Sequence, residues 1–427
     1  MSTLRRRTLL GAGLATATVA GCSDESEASK GDFAIINVRI FDGDSFIDAD
    51  SILVQSGQIS EIGTDLSIPN GVEEIDGSGQ TLLPGLIDAH VHEPERFSRD
   101  TLRFGTTTIC DLGSTGTRPL RRTLPIRDDR EQYERSDVFS AGIFITSPEG
   151  HGTQFGSLPT LEPDSDVSDF MAERIAEGPD FIKFMIESHH EDTLTRDQAH
   201  EVVELAHEAG LLAVAHAQRW SDYTVAVEAG ADIMAHAPGA ATAADASEAA
   251  DAIDDEVIDM MVEQGTAVIA TLAVFSSACG DTISSVGDNS DIDPYLDDPQ
   301  RTDADEIADA TCNDDYFAAN REGLRAVYDA GIPILAGTDY GNPGLVAGIS
   351  LFHEMELLHE VGLSFPEVLT TATAAVADAF GFEDRGRIAV GMWADLLLLE
   401  GDLTEQLPKP ANIVEVWKNG IAVDRQP

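Results

Sequence analysis

Short apolar runs, many ending in a polar residue, alternate with amphipathic stretches through the middle of the chain, from residue 85 to residue 380. Such alternation of buried strands with helices indicates repeated βα units around a parallel sheet. Eight runs over about 300 residues fit a closed (β/α)₈ barrel, the TIM-barrel form of the α/β class. The predicted strands are 86–90, 107–111, 138–145, 181–185, 212–216, 233–236, 267–272 and 334–339.

The clearest helix signal lies at residues 195–209. Thr195 and Gln198 have the spacing of a capping box, in which each side chain bonds the backbone N–H of the other residue, and Gly210 follows as a helix stop. His200 and His207 belong to this helix, and we interpret both as surface residues.

Both ends of the chain show a different pattern, with short alternating runs interrupted by Asp-Gly, Ser-Gly and Asn-Gly turns. This pattern is typical of strands and hairpins. We therefore predict a small β-sandwich domain built from both ends, residues 33–84 plus 387–427, around a barrel at 85–386. Within the barrel, the acidic segment 276–315 is long enough to be either an irregular loop or a lid over a site.

The first 22 residues resemble an export signal. Three arginines precede an apolar run that is too short to span a bilayer, and RRTLL at 6–10 resembles a twin-arginine signal. VAGC at 19–22 resembles a lipoprotein processing site, where Cys22 would carry the lipid. We predict export by the twin-arginine pathway, a lipid anchor on the outer face of the cell membrane, and a polar linker at 23–32; an ordinary disordered N-terminus is the alternative.

Acidic residues outnumber basic residues by 77 to 26, and the net charge is -51. A chain with 42% hydrophobic residues can still fold, so this charge does not indicate a disordered acidic tail. The bias, with only four lysines, resembles proteins adapted to high salt, where ions screen the self-repulsion. Such a surface excludes nucleic acid and anionic membrane surfaces as partners and leaves the oligomeric state open.

Three cysteines follow the expected signal. Cys110 lies in an apolar stretch and is expected to be a core residue. Cys279 and Cys312 lie near the two ends of the acidic segment, and in an exported protein they could close it with a disulfide bond. The sequence leaves open whether this bond forms.

Six ionisable side chains lie in or directly after the predicted barrel strands. They are His90, His92, Lys183, His216, His236 and Asp339. The C-terminal ends of barrel strands meet at one face, and a His-x-His pair on a strand directs both imidazoles to one side, where they can bind one metal ion. Singly, His216 and His236 could be core histidines and Asp339 a helix cap. Packing does not explain all six together.

These segments resemble the amidohydrolase superfamily over nearly the whole chain, from residue 33 to residue 423. The resemblance is carried by PGLIDAHVH, the lysine strand, the two later histidine strands, GTD and the closing RGRIAVGMWADLLLLEGDL. The segments GTTTICDLGS, ITSPEGHG and YDAGIPILAGTDYG are most similar to the imidazolonepropionase-related branch that includes Xaa-Pro dipeptidases.

The resemblance implies two divalent metal ions, with zinc expected, and a CO₂-derived carbamate on Lys183 that bridges them. It assigns His90 and His92 to the buried ion, His216 and His236 to the second ion, and Asp339 to the first ion and to proton transfer. Burial among apolar neighbours would depress the pKa of the lysine towards the free amine that CO₂ requires. Two metal ions would activate water, and Asp339 would move its proton to the leaving amine.

His151, in the sequence PEGHG, resembles a family active-site loop and is expected near the substrate carbonyl or carboxylate; a turn histidine is the alternative. Arg219, Tyr223 and Tyr340 are further candidate substrate contacts, since arginine can bind a carboxylate through two hydrogen bonds. For Arg219 and Tyr223, a solvated surface position is the alternative.

Several nearby residues receive no catalytic assignment. His189 and His190 follow Lys183 but are surplus to the six-residue set, and Glu354 is interpreted as packing or supporting. Ala347-Gly348 stands where relatives often carry His-Gly, so substrate preference does not transfer directly from them.

The sequence therefore predicts an exported binuclear metal-dependent hydrolase that cleaves an amide or peptide bond in a dipeptide, a Xaa-Pro-like substrate or an N-acyl amino acid. The alternatives are a mononuclear cyclic-amide hydrolase such as imidazolonepropionase, and a non-catalytic ligand-binding lipoprotein. Lys183 separates the first alternative because a single-metal site needs no bridging anion. Asp339 separates the second because a binding protein needs no proton shuttle.

Overall fold

The computed structural model describes residues 31–115, 132–188, 192–241, 253–279, 293–305 and 314–427, together with Pro125 and Asp129. The expected export signal with Cys22, most of the expected linker, the pair His189 and His190, and Cys312 lie outside these residues. Among the described helices, none combines the length and the apolar character needed to cross a lipid bilayer.

Strands occur at both ends of the chain and through its middle. In chain order they are β1 (Phe33–Ile36), β2 (Arg39–Phe41), β3 (Phe46–Ile47), β4 (Ser51–Gln55), β5 (Gln58–Gly63), β6 (Glu73–Asp76), β7 (Gln80–Pro84), β8 (Leu86–Val91), β9 (Thr106–Asp111), β10 (Asp137–Ser140), β11 (Ile182–Met185), β12 (Ala213–His216), β13 (Ile233–Ala235), β14 (Ala267–Ile269), β15 (Ile334–Leu335), β16 (Leu396–Glu400), β17 (Ile413–Lys418) and β18 (Ile421–Ala422).

Strands β8 to β15 are parallel and form the barrel, so the TIM-barrel fold class is confirmed. They lie in a three-stranded sheet of order β10-β9-β8 and a five-stranded sheet that runs from β11 to β15 in sequence order. Isolated parallel bridges connect the edges of the two sheets, between Ile145 and Phe184 and between Val91 and Tyr340. Each predicted barrel strand overlaps an observed one. The third, seventh and eighth strands end earlier than predicted, at Ser140, Ile269 and Leu335. Shortly after the third, Gly142 has a φ of 70°, outside the strand region.

Helices pack around this barrel. In the described residues they are α1 (Ser98–Arg103), α2 (Val167–Ala176), α3 (Arg196–Glu208), α4 (Trp220–Glu228), α5 (Asp255–Gln264), α6 (Leu272–Ala278), α7 (Asp298–Asp305), α8 (Asp314–Asp329), α9 (Ser350–Val361), α10 (Phe365–Thr371) and α11 (Ala374–Phe380).

Helix α3 begins where the capping box predicts. The Thr195 hydroxyl accepts a hydrogen bond from the Gln198 N–H at 3.2 Å, and the Gln198 amide oxygen accepts one from the Thr195 N–H at 3.1 Å. The apolar face of the helix, with Ala199 and Val202, joins the same buried cluster as Ile182 and Phe184 of β11. Because side chains alternate along a strand, Lys183 between these two faces the barrel interior.

The two ends of the chain meet in a six-stranded sheet of order β18-β17-β16-β7-β2-β3. A four-stranded sheet of order β5-β4-β1-β6 accompanies it. Apolar residues from both ends form one buried cluster, in which Phe33 stacks on Trp417 with ring centroids 5.3 Å apart. The domain limits drawn from the sequence stay predictions, whereas the pairing of β7 with β16 is observed.

A buried ionic cluster joins strand β17 to barrel strand β10. The Lys418 ammonium lies 2.9 Å from the Asp137 carboxylate and 2.6 Å from the Asp395 carboxylate. Arg385 donates a second hydrogen bond to Asp137 at 2.7 Å. Because all four side chains are at most 5% exposed, each charge depends on its partners for compensation.

The acidic segment at 276–315 contributes to the barrel face through its described part. It includes helix α7 and a 3₁₀ turn at Asp293–Tyr295. Cys279 is in a disulfide bond, whereas Cys312, its expected partner, lies outside the described residues. Cys110 is buried with a free thiol, as expected.

Candidate functional site

A cavity of about 650 Å³ opens at the C-terminal ends of the barrel strands. All six residues that the sequence groups at the strands line it: His90, His92, Lys183, His216, His236 and Asp339. His151 and Tyr340 also line the cavity. The parallel strand order brings these distant positions together at one face of the barrel.

The first cluster consists of His90, His92 and Asp339. The two Nε2 atoms are 3.3 Å apart, and they lie 3.2 and 2.9 Å from Oδ1 of Asp339. The opposite ring nitrogen of His92 bonds the carbonyl of Gly113, which fixes the ring orientation. Asp339 has a φ of 58°, and its N–H donates to the His90 carbonyl at 2.8 Å, so the end of the last strand is held against the first.

The second cluster centres on His216 and His236, from neighbouring strands. Nδ1 of His216 and Nε2 of His236 are 2.8 Å apart. Nδ1 of His236 lies 2.8 Å from the Thr271 hydroxyl. Burial lowers the pKa of His216 to about 4 and lowers the pKa of His236 and His90 well below the usual value. These three imidazoles are therefore neutral near pH 7, the form that binds metal ions.

Lys183 lies at the base of the same cavity with only 1% of its surface exposed. Its Nζ has no hydrogen-bond partner among the described residues. Burial lowers the pKa of this ammonium group to about 7, although the charge of Asp339 opposes the change. A substantial fraction of Lys183 is therefore the free amine at neutral pH.

Glu187 is a site residue that the sequence analysis missed. Its carboxylate is buried, and Oε2 lies 3.1 Å from Nε2 of His216 and in contact with Nδ1 of His151. The rings of His151 and His216 stack with centroids 4.1 Å apart. An acidic residue directly after an apolar strand was the available signal, but no motif marked it.

Of three further residues expected to contact the substrate, one lines the cavity and two do not. Tyr340 lines the cavity and donates a hydrogen bond to Asp303 at 2.6 Å. Tyr223 needs correction, because it is fully buried and its hydroxyl donates to the His236 carbonyl. Arg219 is the N-cap residue of α4 and is not among the described residues that line the cavity.

Arg96, which the sequence analysis also missed, is the arginine that lines the cavity in the described part of the chain. It donates to Glu93 at 2.8 Å. Near the second cluster the wall is apolar, with Phe155 beside His151 and Phe275 beside His236, each pair with ring centroids 6.1 Å apart. The cavity thus has polar walls near Tyr340 and apolar walls near His236.

The donor set fits divalent metal ions. Within the described residues, two trios bring their ligand atoms within 4.8 Å of one another: His90, His236 and Asp339, and His151, Glu187 and His216. Imidazole nitrogens and carboxylate oxygens are the ligands that zinc and related ions take in proteins. Lys183 Nζ is buried without a hydrogen-bond partner among the described residues, as expected of a group that completes a metal centre.

Comparison with known proteins identifies a family of hydrolases. The sequence model of the Amidohydrolase family matches residues 81–423. A dihydroorotase of Mycobacterium tuberculosis is 38% identical over 79 residues, which are 18% of this chain and 18% of the relative. The match therefore spans less than a fifth of that relative's length.

Solved structures are similar over much more of the chain. A putative prolidase from Bifidobacterium longum has a TM-score of 0.72 at 24% identity and covers 93% of this chain and 96% of its own. A Xaa-Pro dipeptidase with methionine bound in the active site has a TM-score of 0.70 at 21% identity, and the alignment covers 92% of this chain and 100% of the dipeptidase chain. At these identities the likeness establishes the shared fold.

Proposed function

The chain belongs to the amidohydrolase family, and we propose that it is a binuclear metal-dependent hydrolase that cleaves an amide bond in a dipeptide, a Xaa-Pro-like substrate or an N-acyl amino acid. Export and a lipid on Cys22 are part of the proposal and rest on the sequence of residues 1–22 alone. The substrate class is supported by the Xaa-Pro dipeptidase and prolidase among the similar structures.

The observation that carries the proposal is the buried amine of Lys183 between two clusters of metal-binding groups. Its Nζ lacks a hydrogen-bond partner among the described residues, and burial lowers its pKa to about 7. A free amine can add CO₂ with loss of a proton, which would convert an uncompensated buried cation into a carbamate anion. His90, His92 and Asp339 would hold one ion, His216 and His236 the other, and the Lys183 carbamate would bridge them.

Two divalent ions bound there would polarise the substrate carbonyl and lower the pKa of water. We assign the proton transfer to Asp339. Its Oδ2 faces His236 at 3.9 Å, while Oδ1 faces His90 and His92. As the water oxygen bonds to the carbonyl carbon, Asp339 accepts the water proton, and it returns this proton to the amine nitrogen as the C–N bond breaks.

Residues of the cavity wall would orient the substrate. His151 is one-fifth exposed and lies beside the second cluster, within reach of a substrate carbonyl or carboxylate. We assign a terminal carboxylate of the substrate to Arg96 in place of Arg219, because Arg96 lines the cavity and an arginine can bind a carboxylate through two hydrogen bonds. Phe155 and Phe275 favour an apolar substrate side chain.

A single-metal cyclic-amide hydrolase is the competing function. The short dihydroorotase match supports its cyclic-amide substrate and does not bear on the number of metal ions. Lys183 argues against it, because a single ion needs no bridging anion and a buried lysine without a partner carries a large desolvation cost. A non-catalytic binding protein would not need the proton shuttle of Asp339.

The proposal is tested by loading the purified protein with zinc in high salt and screening dipeptides, N-acyl amino acids and cyclic amides. Each dipeptide is compared with its C-terminal amide, which removes the carboxylate assigned to Arg96. Hydrolysis of linear substrates, with a preference for free carboxylates, is expected. Turnover of cyclic amides alone would favour the competing function, and no turnover by fully loaded protein would contradict the proposal.

A further inference from the structure

The Glu187 carboxylate connects a proposed metal-binding histidine to a histidine of the substrate cavity. Oε2 of Glu187 is 3.1 Å from Nε2 of His216 and in contact with Nδ1 of His151. The two imidazoles stack on each other, with 22° between their ring planes. One buried oxygen atom therefore contacts both rings.

The tautomer of His216 determines which atom donates the hydrogen bond between this ring and Glu187. Nδ1 of His216 faces Nε2 of His236, where the proposed second ion would bind. When Nδ1 offers its lone pair to an ion, the ring proton is on Nε2, and this N–H donates to Glu187. A carboxylate on the far nitrogen fixes the tautomer and the ring orientation, and it makes the histidine a stronger ligand.

The backbone around Glu187 keeps its carboxylate in place. The Glu187 N–H donates to the Thr193 hydroxyl at 3.0 Å, and the N–H of the following Ser188 donates to Asp222 at 3.1 Å. Glu187 is 2% exposed, and its carboxylate has two histidine partners rather than a solvent shell. Strand β11 therefore places Lys183 at the site, and the turn that follows it places Glu187 beside His151 and His216.

We propose that Glu187 is a positioning residue that orients His216 for the second metal ion and holds His151 against the substrate. The inference rests on the proposed two-ion centre and adds a residue outside the six-residue set. The trio His151, Glu187 and His216 could instead bind a third ion directly, since its ligand atoms lie within 4.8 Å of one another. The number of bound ions separates these arrangements.

The test uses the full folded chain in high salt, stripped of metal and titrated with zinc against a competing chelator. In Glu187→Gln, which keeps the shape but removes the charge, we expect the second ion to bind about 10 to 100-fold more weakly and the first ion to bind as before. Asp222→Asn is the matched control, because Asp222 accepts a hydrogen bond from Ser188 in the same turn and its substitution leaves the Glu187 carboxylate unchanged. It is expected to bind both ions as the wild type does.

A kinetic comparison at saturating zinc tests the second contact. Glu187→Gln should raise KM, and adding it to His151→Asn should raise KM no further than His151→Asn alone, because both changes remove one interaction. If Glu187→Gln does not fold, Glu187→Asp, which retracts the carboxylate by one methylene, replaces it with the same expected pattern in weaker form.

Four results would overturn the inference. Equal affinity for both ions in wild type and Glu187→Gln would remove the positioning role while leaving the two-ion function intact. An equal loss in Asp222→Asn would assign the effect to the turn. Three ions in wild type and two in Glu187→Gln would make Glu187 a ligand. A wild type that binds one ion would contradict the proposed two-ion centre itself.

Discussion

Nδ1 of His216 lies 2.8 Å from Nε2 of His236, although the two rings come from neighbouring strands and use different nitrogens. Burial lowers the pKa of both imidazoles, so both are neutral near pH 7. Their opposite nitrogens face Glu187 and the Thr271 hydroxyl. Hydrogen bonds to the opposite nitrogens hold both rings in orientations in which their facing nitrogens can bind one metal ion.

Asp339→Asn should lower kcat about 100 to 10,000-fold, because an amide cannot accept a proton from water or return it to the leaving amine. The oxygen of asparagine can still face His90 and His92. The measurement is steady-state hydrolysis of the best linear substrate with metal content determined in parallel. Unchanged kcat at full metal loading would eliminate the proton-shuttle role.

Lys418→Met should destabilise the fold by about 3 to 5 kcal/mol, since it leaves the buried carboxylates of Asp137 and Asp395 without their shared cation. The measurement is the free energy of unfolding in denaturant at constant salt. Lys409→Met is the matched control, because Lys409 is exposed. Equal stability of the two variants would show that the buried cluster does not support the joint between β17 and β10.

Glu354 should make stability fall as pH rises. It is fully buried behind the site, and burial raises its pKa to about 8 although the backbone N–H groups of Ala273 and Leu272 oppose the change. The folded state therefore holds a proton that the unfolded state has released above its ordinary pKa of about 4.3. Stability is highest below that value, decreases through the interval up to about pH 8, and changes no further above it.

Glu354→Gln removes this titration while it keeps an oxygen for the Ala273 N–H. The free energy of unfolding of the variant should decline less than that of the wild type between pH ~5 and ~9, and the gap should approach a few kcal/mol. Parallel pH profiles for the two proteins would show that Glu354 does not carry the effect.

Salt should stabilise the fold, because a net charge of -51 repels itself and ions screen that repulsion. Unfolding midpoints measured from low to molar KCl should rise with salt. An uncharged osmolyte at matched osmolality serves as the control. A midpoint independent of salt would contradict adaptation to a saline environment.

The barrel and its six-residue site were predictable because both depend on strand periodicity and strand ends. Alternation placed Lys183 opposite Ile182 and Phe184, and parallel order brought His216 and His236 to the same face as His90. These are regularities of the backbone that a sequence displays directly.

Loop paths and helix faces were not predictable in the same way. Tyr223 follows His216 closely in sequence, but helix α4 turns its side chain into the core, where it bonds the His236 carbonyl. Arg96 reaches the cavity because of the turn that follows β8, and Glu187 reaches His151 and His216 because of the turn that follows β11. No periodicity marks such turns, so these contacts could not be predicted from the sequence.

The most direct test of the two-ion centre is metal analysis of Lys183→Ala beside the wild type. Two tightly bound ions per wild-type chain are expected, against loss of the second ion and of activity in Lys183→Ala, because the bridging anion is absent. A small carboxylic acid added to the variant should restore both in part, since it supplies an anion to the space left by the side chain. One tightly bound ion in each protein, with equal hydrolysis by both, would contradict the account.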